Sequence, residues 1–225
     1  MRLYVGTLTH NCLVHTQRML GSFSSSRSVN WVIVDNGSSD GTLKLLDDLS
    51  KFPNQIHIRN VVNRGVAAGW NQILRVCMAD PEFRYLYLVN NDLVFQGDAC
   101  GVLYDFLEAH PNYVAVSSIQ ANRVKPSLGC VDNSHLEFVA IMLTRFCIEQ
   151  VGYFDERFFP AYFEDNDYAE RIKRVLLSKG YLSGTVHDSQ VLHVGSCTIK
   201  EGGVKVARSF EENKRKFKEK WGFLP

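Results

Sequence analysis

Several carboxylates in this sequence lie where they could hold a ligand or a reacting group. One of them, Asp35, ends the apolar, β-branched run Trp31–Val34. Such a run is typical of a strand buried on both faces, and open α/β sheets bind ligands at the carboxyl ends of their strands. Asp35 is therefore a candidate ligand contact. A purely structural role stays open, because Asn36-Gly37 is a turn signal and Asp40 could cap the next helix.

A second polar group is the triplet Asn90-Asn91-Asp92, which follows the apolar run Tyr85–Val89. Polar groups inside an apolar segment are costly to bury unless they bind something or emerge at the end of a strand. Asp92 is thus a second candidate ligand residue. The residues also allow a simpler interpretation, a turn in which both asparagines accept unusual backbone angles.

A third group is Glu164, Asp165 and Asp167, at the start of a helical pattern. The helix dipole favours acidic residues there by about 0.3–1 kcal/mol each, but close like charges raise one another's pKa. A general base or a bound cation would use such a cluster better than the dipole alone. His193 interrupts a short apolar run, and because a lone histidine is more often structural than a ligand, its role depends on its neighbours.

These residues must be positioned by strands and helices that alternate along the chain. The alternation predicts βαβ units, and hence an α/β fold with a single mixed, mainly parallel sheet flanked by helices. The predicted strands are Leu3–Leu8, Trp31–Val34, Ile56–Val61, Tyr85–Val89, Tyr113–Ser117 and Phe138–Leu143.

Helices are predicted from apolar residues at helical spacing. The pattern recurs after Asp40, around Trp70, and after Asp98, which we expect to be an N-cap residue. Another helix follows the acidic cluster and ends near Gly180, expected at the C′ position. The charged C-terminal segment predicts a last helix with three apolar anchors, Phe210, Phe217 and Trp221.

The composition predicts a single domain without a strong overall charge. The 225 residues can form one α/β core, and 25 Lys and Arg nearly balance 24 Asp and Glu. This balance gives no long-range attraction for nucleic acid or an anionic membrane. No run approaches the roughly 18 apolar residues of a membrane span, and the opening residues do not resemble a signal peptide. The sequence does not predict an oligomeric state.

The 6 cysteines are scattered and form no CxxC pair, which argues against a zinc ribbon or a disulfide framework. We therefore expect reduced thiols in a cytoplasmic protein. The sequon Asn36-Gly37-Ser38 would matter only in a secretory protein.

Taken together, these motifs resemble the inverting glycosyltransferases of family 2, which have the GT-A fold. The resemblance covers nearly the whole chain, through VGTLTHN, VIVDNGSSDGT, NRGVAAGWN, YLYLVNND, VGYFDERFFPAYFEDNDYAER and LHVG. Within the family, the sequence is most similar to rhamnosyltransferase-type enzymes. The resemblance implies a hexosyltransferase of polysaccharide biosynthesis, which moves a sugar from a UDP- or dTDP-sugar type of donor to a hydroxyl of a glycan or other acceptor.

The resemblance also implies which residues hold the nucleotide-sugar donor. Thr7 and Asp35 match positions that contact the base, and Arg64 matches a basic residue near the nucleotide. Asn90 and Asn91 stand in the family's DxD motif. Asn90 replaces the usual first aspartate, which removes one negative charge from the site. About residues 1–119 would bind the donor, and about 120–225 would bind the acceptor and carry the catalytic residues.

A divalent cation and one base complete the implied site. Asp92 ends the DxD motif, and with His193 it would hold Mn²⁺ or Mg²⁺, while Asp165 matches the catalytic base. This chemistry is coherent, because a cation stabilises the departing diphosphate and a single displacement aided by one base inverts the anomeric carbon. An imidazole ligand favours Mn²⁺. Glu164 and Asp167 would support the base.

Two other functions stay open from the residues. A nucleotidyltransferase could use a similar sheet and metal, but TLTHNCLVHT after the first strand lacks a glycine-rich, basic phosphate loop. A sugar-nucleotide-binding module without turnover is the second alternative, against which the intact acidic residues and His193 argue. A Rossmann dehydrogenase is disfavoured, because no GxGxxG follows the first strand. Acceptor specificity is expected in residues 120–163.

Overall fold

The computed structural model describes residues 2–49, 54–195 and 197–225, without the side chains of 197–206. Their backbone forms a 9-stranded sheet covered by helices. The strands are β1 (Arg2–Thr9), β2 (Val29–Asp35), β3 (Gln55–Arg59), β4 (Phe83–Asn90), β5 (Leu93–Gln96), β6 (Tyr113–Gln120), β7 (Val131–Asp132), β8 (Ala140–Thr144) and β9 (Leu182–His193). The helices are α1 (Leu13–Ser22), α2 (Thr42–Leu49), α3 (Val66–Ala79), α4 (Ala99–Ala109), α5 (Arg145–Val151), α6 (Glu164–Val175) and α7 (Cys197–Trp221).

The sheet is mixed and mainly parallel, which confirms the predicted fold class. Its strand order is β3-β2-β1-β4-β8-β6-β9-β5, and β7 pairs with β9. The strands β3, β2, β1 and β4 are mutually parallel, and β8 runs antiparallel to both β4 and β6. β6 and β9 are parallel to each other and therefore point the same way as β4.

Alternate residues of the central strands supply two apolar cores, one on each face of the sheet. Tyr4, Val32 and Leu86 face the core that includes residues of α3, α5 and α6. Leu3 and Tyr87 face the core that includes residues of α1 and α4. Because both faces are covered, polar side chains at the strand ends can reach solvent only along the edges where the strands stop.

The structure adds strands that the sequence patterns did not predict, of which β9 is the longest. The polar residues of β9 interrupt the apolar pattern that would indicate a strand. They can be buried in the sheet because their hydroxyl groups pair with those of β6. Thr185 lies 2.9 Å from Ser117, and Ser189 lies 2.7 Å from Ser118, measured between hydroxyl oxygens. A buried hydroxyl with a partner is tolerated in a strand that composition alone would leave as a loop.

The observed helix ends agree in part with those predicted from the sequence. Asp98 is the N-cap of α4 and accepts the N–H of Gly101 at 2.8 Å, as predicted. Gly180 has a positive φ of 91°, but it ends a short 3₁₀ turn that follows α6 rather than α6 itself. Of the predicted anchors of α7, Phe217 is fully buried, while Phe210 is 38% exposed.

The expectation of reduced thiols is wrong for Cys12, which is disulfide-bonded. Cys77, Cys100, Cys130 and Cys147 are free. Spacing along the chain could not reveal the bond, because a disulfide needs Cα atoms within about 7 Å and only the fold sets that distance. None of the helices in the described part of the chain combines the length and the hydropathy that a bilayer-spanning segment needs.

Candidate active site

The polar residues that follow β1, β2 and β4 meet at one edge of the sheet. In the ladder, Thr9 of β1 is in register with Asp35, the last residue of β2. Leu8 is in register with Asn90, the last residue of β4. The strand-end positions expected for Asp35 and Asn90 are therefore confirmed, and the parallel ladder places both at the same edge.

Asp35 both orders the turn and keeps an oxygen free. Its side chain is buried, and one carboxylate oxygen accepts the N–H of Ser38 at 3.1 Å. The other oxygen, Oδ1, is buried without a hydrogen-bond partner in the described part of the chain, and so is the hydroxyl of Thr7. Thr7 lies on the same strand face as Thr9 and Asp35. Unpaired buried polar atoms cost about 1–3 kcal/mol each, which a ligand at this edge would recover.

The side chain of Asn36 orders the loop that contains Arg64. Its amide group donates to the side chain of Asn63 at 2.9 Å and to the carbonyl of Gly65 at 3.2 Å. Its Oδ1 accepts the side-chain amide of Asn60 at 3.1 Å and the backbone N–H of Arg64 at 2.9 Å. These contacts hold Arg64 beside the end of β2 with its side chain exposed.

Gly65 joins this loop to the segment that precedes α6. It has a positive φ of 85°, and a Cβ atom there would lie 2.9 Å from the ring of Phe159 and 3.0 Å from the carbonyl oxygen of Pro160. The next residue, Val66, donates its N–H to the same carbonyl at 2.7 Å. Only glycine suits such a conformation and approach. The loop containing Arg64 therefore packs against Phe159 and Pro160, in the segment that leads to the acidic cluster.

The triplet after β4 divides into residues with different contacts. Asn91 is buried, and its amide group donates to the hydroxyls of Thr9 at 3.3 Å and Thr16 at 3.1 Å. This contact ties the end of β4 to β1 and α1. Asn90 is partly exposed, and its backbone N–H donates to the carbonyl of Val139 at 2.9 Å.

Asp92 and His193 form a close pair, although 100 residues separate them along the chain. Nε2 of His193 lies 3.2 Å from Oδ1 of Asp92, and the two side chains are only 12% and 9% exposed. The pairing of β5 with β9 brings them together, since Leu93 is in register with His193. The backbone N–H of Val194 also donates to the carbonyl of Asp92 at 3.1 Å. A carboxylate and an imidazole at this separation can share one cation.

The acidic cluster at the start of α6 also divides into different environments. Asp165 is partly buried and accepts the backbone N–H of Asn166 at 2.8 Å. Burial raises the pKa of Asp165, and the Asn166 hydrogen bond partly offsets this. Glu164 is buried, and its Oε2 has no hydrogen-bond partner among the described residues. Burial and the charge of Asp165 raise the pKa of Glu164 well above its usual range.

Asp167 is fully buried and connects α6 to α7. Its carboxylate lies 3.0 Å from Nε of Arg171 and 2.6 Å from Nζ of Lys220. It also accepts the indole N–H of Trp221 at 3.0 Å. Because Lys220 and Trp221 both lie on α7, Asp167 stabilises the packing of the last helix against α6.

Replacing Asp167 with Asn preserves the shape of the side chain but is expected to destabilise the folded protein. The amide can still accept from Trp221, but the charge opposite Arg171 and Lys220 is lost, which should cost about 1.5–3 kcal/mol. Urea unfolding measures this loss, and Glu211→Gln on the exposed face of α7 is the control, expected to change stability by less than about 0.5 kcal/mol. Equal stability of wild type and Asp167→Asn would contradict the structural role.

Asn213 of α7 is a residue that the sequence analysis missed. It is fully buried, and its amide group donates to the carbonyls of Phe159 (3.2 Å), Ala161 (2.9 Å) and Tyr162 (3.3 Å). It thereby holds the segment that leads into α6 and Asp165. Its position, four residues before the buried Phe217, was the available signal, because a polar residue on an apolar stripe needs a buried partner.

Comparisons with known proteins bear on the family and the fold of this chain. The model of the family described as glycosyl transferase family 2 matches residues 6–157. A mannosyltransferase from Pyrobaculum calidifontis, solved with GDP-Man and Mn²⁺, has a TM-score of 0.72 at 18% identity and covers 100% of this chain. TarS 1-349 of S. aureus, solved with UDP-GlcNAc, has a TM-score of 0.65 at 16% identity over 85% of this chain.

A galactofuranosyl glycosyltransferase of Leishmania donovani is 31% identical over 86 residues, which are 38% of this chain. This chain spans 19% of that protein, 66% of the mannosyltransferase chain and 57% of the TarS chain. At such low identity the solved structures establish the fold alone, while the family model matches more than half of the sequence. The chain belongs to glycosyl transferase family 2.

Proposed function

We propose that this protein is a metal-dependent, inverting glycosyltransferase, which moves a sugar from a nucleotide-diphosphate donor to a hydroxyl of a glycan or other acceptor. The observation that carries the proposal is the Asp92–His193 pair, which stands beside the ends of the strands that bear Thr7 and Asp35. A buried acid–imidazole pair and unpaired polar atoms at one sheet edge suit a ligand with a diphosphate and a base.

The donor nucleotide would lie along the carboxyl ends of β1 and β2. The unpaired oxygen of Asp35 would accept a hydrogen bond from the base, and the hydroxyl of Thr7 would donate or accept one. Arg64 would approach the nucleotide from its loop. Asn90 would contact the donor from the end of β4. Asn91 would contribute only through its Oδ1, because its amide hydrogens are directed to hydroxyls in the protein.

Asp35→Asn is expected to weaken nucleotide binding by about 1–3 kcal/mol with little loss of stability. Asparagine can keep the turn contact to Ser38, but it changes the hydrogen-bonding pattern offered to the base. Calorimetric titration with the nucleoside diphosphate and thermal unfolding measure the two quantities separately. Lower stability with unchanged nucleotide affinity would show that Asp35 only orders the turn.

A divalent cation fits the residues present. Asp92 offers a carboxylate oxygen and His193 an imidazole nitrogen, and such a mixed donor set favours Mn²⁺ over Mg²⁺. Within the described residues no group of three or more metal-ligating side chains occurs, so donor phosphates and water would complete the coordination. When bound, the cation would neutralise charge on the departing diphosphate.

Asp165 would act as the general base toward the acceptor hydroxyl. Its carboxylate is partly exposed at the start of α6, where the acceptor could approach, and its raised pKa makes it a better proton acceptor than an ordinary aspartate. Because the raised pKa of Glu164 favours its neutral form, Glu164 would place no second full negative charge beside the base, and Asp167 would fix the helix. One base and a direct displacement invert the anomeric carbon.

The resemblance to rhamnosyltransferase-type enzymes favours a UDP- or dTDP-linked hexose or deoxyhexose as the donor. The solved structures include complexes with UDP, UDP-GlcNAc and GDP-Man, so a test panel should include UDP and GDP as well as dTDP. Residues 1–119 would bind this donor, and residues 120–163 would select the acceptor.

The proposal is tested by incubating the protein with each nucleotide sugar, Mn²⁺ and a mixture of glycan acceptors. We expect release of a nucleoside diphosphate and a glycoside of inverted anomeric configuration, read by NMR. Binding of a nucleotide sugar without any release would favour the sugar-nucleotide-binding module. A product of retained configuration would exclude the single displacement with Asp165 as the only carboxylate.

A further inference from the structure

Behind the Asp92–His193 pair, a buried amide contacts the other nitrogen of the imidazole ring. Oε1 of Gln120 lies 3.1 Å from Nδ1 of His193, and Gln120 as a whole residue is 2% exposed. The amide nitrogen of the same side chain donates to the carboxylate of Glu137. Gln120 therefore bridges His193 and Glu137 at the end of β6.

The chemistry of these groups fixes the direction of each hydrogen bond. A carboxylate only accepts hydrogen bonds, so the NH₂ group of Gln120 must face Glu137. Its carbonyl oxygen then faces His193, where it can only accept, and Nδ1 of the ring must carry a hydrogen. Nε2 is left as the ring nitrogen that faces Asp92 and can bind a metal.

The two residues at the ends of this bridge, Glu137 and His193, are each held by a hydrogen bond from their own backbone N–H to a side chain. The N–H of Glu137 donates to the hydroxyl of Ser117 at 2.9 Å, and a carboxylate oxygen of Glu137 lies 3.3 Å from Nε2 of His135. The N–H of His193 donates to Oδ1 of Asn122 at 3.1 Å. The ring of His193 is thus held at its backbone and at Nδ1, with Nε2 left toward Asp92.

We propose that Gln120 and Glu137 are positioning residues, which hold His193 in the tautomer and orientation that present Nε2 to a divalent cation shared with Asp92. The inference rests on the metal site of the proposed function and adds residues that the sequence motifs do not mark. Groups behind a metal ligand orient it and increase its affinity for the metal, typically by 10–100-fold.

The first test measures the binding of Mn²⁺ alone, with free Mn²⁺ quantified by EPR. Gln120→Met keeps the length of the side chain but removes both hydrogen bonds, and should weaken Mn²⁺ binding about 10–100-fold. Glu137→Gln retains the shape of the side chain but no longer fixes which end of the Gln120 amide faces His193. It should therefore also weaken Mn²⁺ binding. Gln96→Met, at an exposed glutamine that ends β5, is the control and should bind Mn²⁺ like wild type.

The second test reads the tautomer of His193 in the folded wild-type protein, so it does not depend on whether a variant folds. Long-range ¹H–¹⁵N spectra of histidine-labelled protein distinguish the two ring nitrogens, and His193→Gln identifies the signals. We expect a protonated Nδ1, and a shift of Nε2 when Cd²⁺ is added as a diamagnetic substitute. A His193 ring that carries its hydrogen only on Nε2, or binds Cd²⁺ through Nδ1, would overturn the inference.

The two proposals fail in different ways. If His193→Gln weakens Mn²⁺ binding and Gln120→Met does not, the positioning role is wrong while the metal site stands. If neither change weakens Mn²⁺ binding, the metal site of the proposed function is wrong, and the positioning role is wrong with it.

Discussion

The Asp165→Asn variant is expected to transfer sugar about 10²–10⁴-fold more slowly than wild type while it still binds the donor. Asparagine is nearly isosteric and keeps an oxygen for the N–H of Asn166, so the start of α6 should not move. The change removes the proton acceptor, and general-base catalysis typically contributes this factor. Rates with saturating donor and acceptor, together with donor affinity from calorimetry, measure the two effects.

The pH dependence of kcat/KM provides an independent test of Asp165 as the base. The base must be ionised to act, and burial raises the pKa of Asp165 above the usual aspartate value. The acidic limb of the kcat/KM profile should therefore lie at higher pH than an ordinary aspartate would give, and Asp165→Asn should abolish that limb. Near wild-type transfer by Asp165→Asn would remove this residue from the mechanism, and Glu164 would be the next to test.

The Asp92→Asn variant is expected to lose at least about 100-fold in Mn²⁺ affinity. Loss of a group behind a metal ligand costs 10–100-fold, and Asp92 would be the ligand itself. Its binding of a nucleoside diphosphate should fall to the level that wild type shows in EDTA. Asparagine preserves the shape of the buried side chain beside His193, so the melting temperature in the absence of metal should change little.

Asp188→Asn is the matched control for Asp92→Asn, because Asp188 lies on β9 as His193 does but accepts the backbone N–H of Gly129. Its Mn²⁺ affinity should equal that of wild type. If wild type and Asp92→Asn bind Mn²⁺ equally, the cation is held elsewhere or not at all.

The fold and the strand-end positions of Asp35 and Asn90 could be predicted because their signals are local. A continuous β-branched run such as Trp31–Val34 indicates a buried strand, and Asp35 follows at its carboxyl end. Parallel strands then place Asp35 and Asn90 at the same edge, whatever the details of the helices. These predictions needed only the strand periodicity and the rule for ligand sites in open sheets.

The rest of the site depends on contacts between distant parts of the chain. His193 lies beside Asp92 because β9 pairs with β5, and the polar composition of β9 concealed that strand. Gln120 acts through two residues from other segments. Asp167 resembled a site residue until α7 supplied Lys220 and Trp221 as partners. Sequence periodicity does not encode which side chains meet across such distances.

Metal-dependent nucleotide binding can be measured by a thermal-shift screen of the wild-type protein with UDP, dTDP and GDP, each with Mn²⁺ or with EDTA. A nucleotide at 100 times its Kd stabilises the folded state by about 2.7 kcal/mol, which for a chain of this length raises the melting temperature by about 5–10 °C. We expect such a rise for at least one nucleotide, with Mn²⁺ and not with EDTA. The same rise in EDTA, or none with any nucleotide, would contradict a metal-dependent nucleotide site at Asp92 and His193.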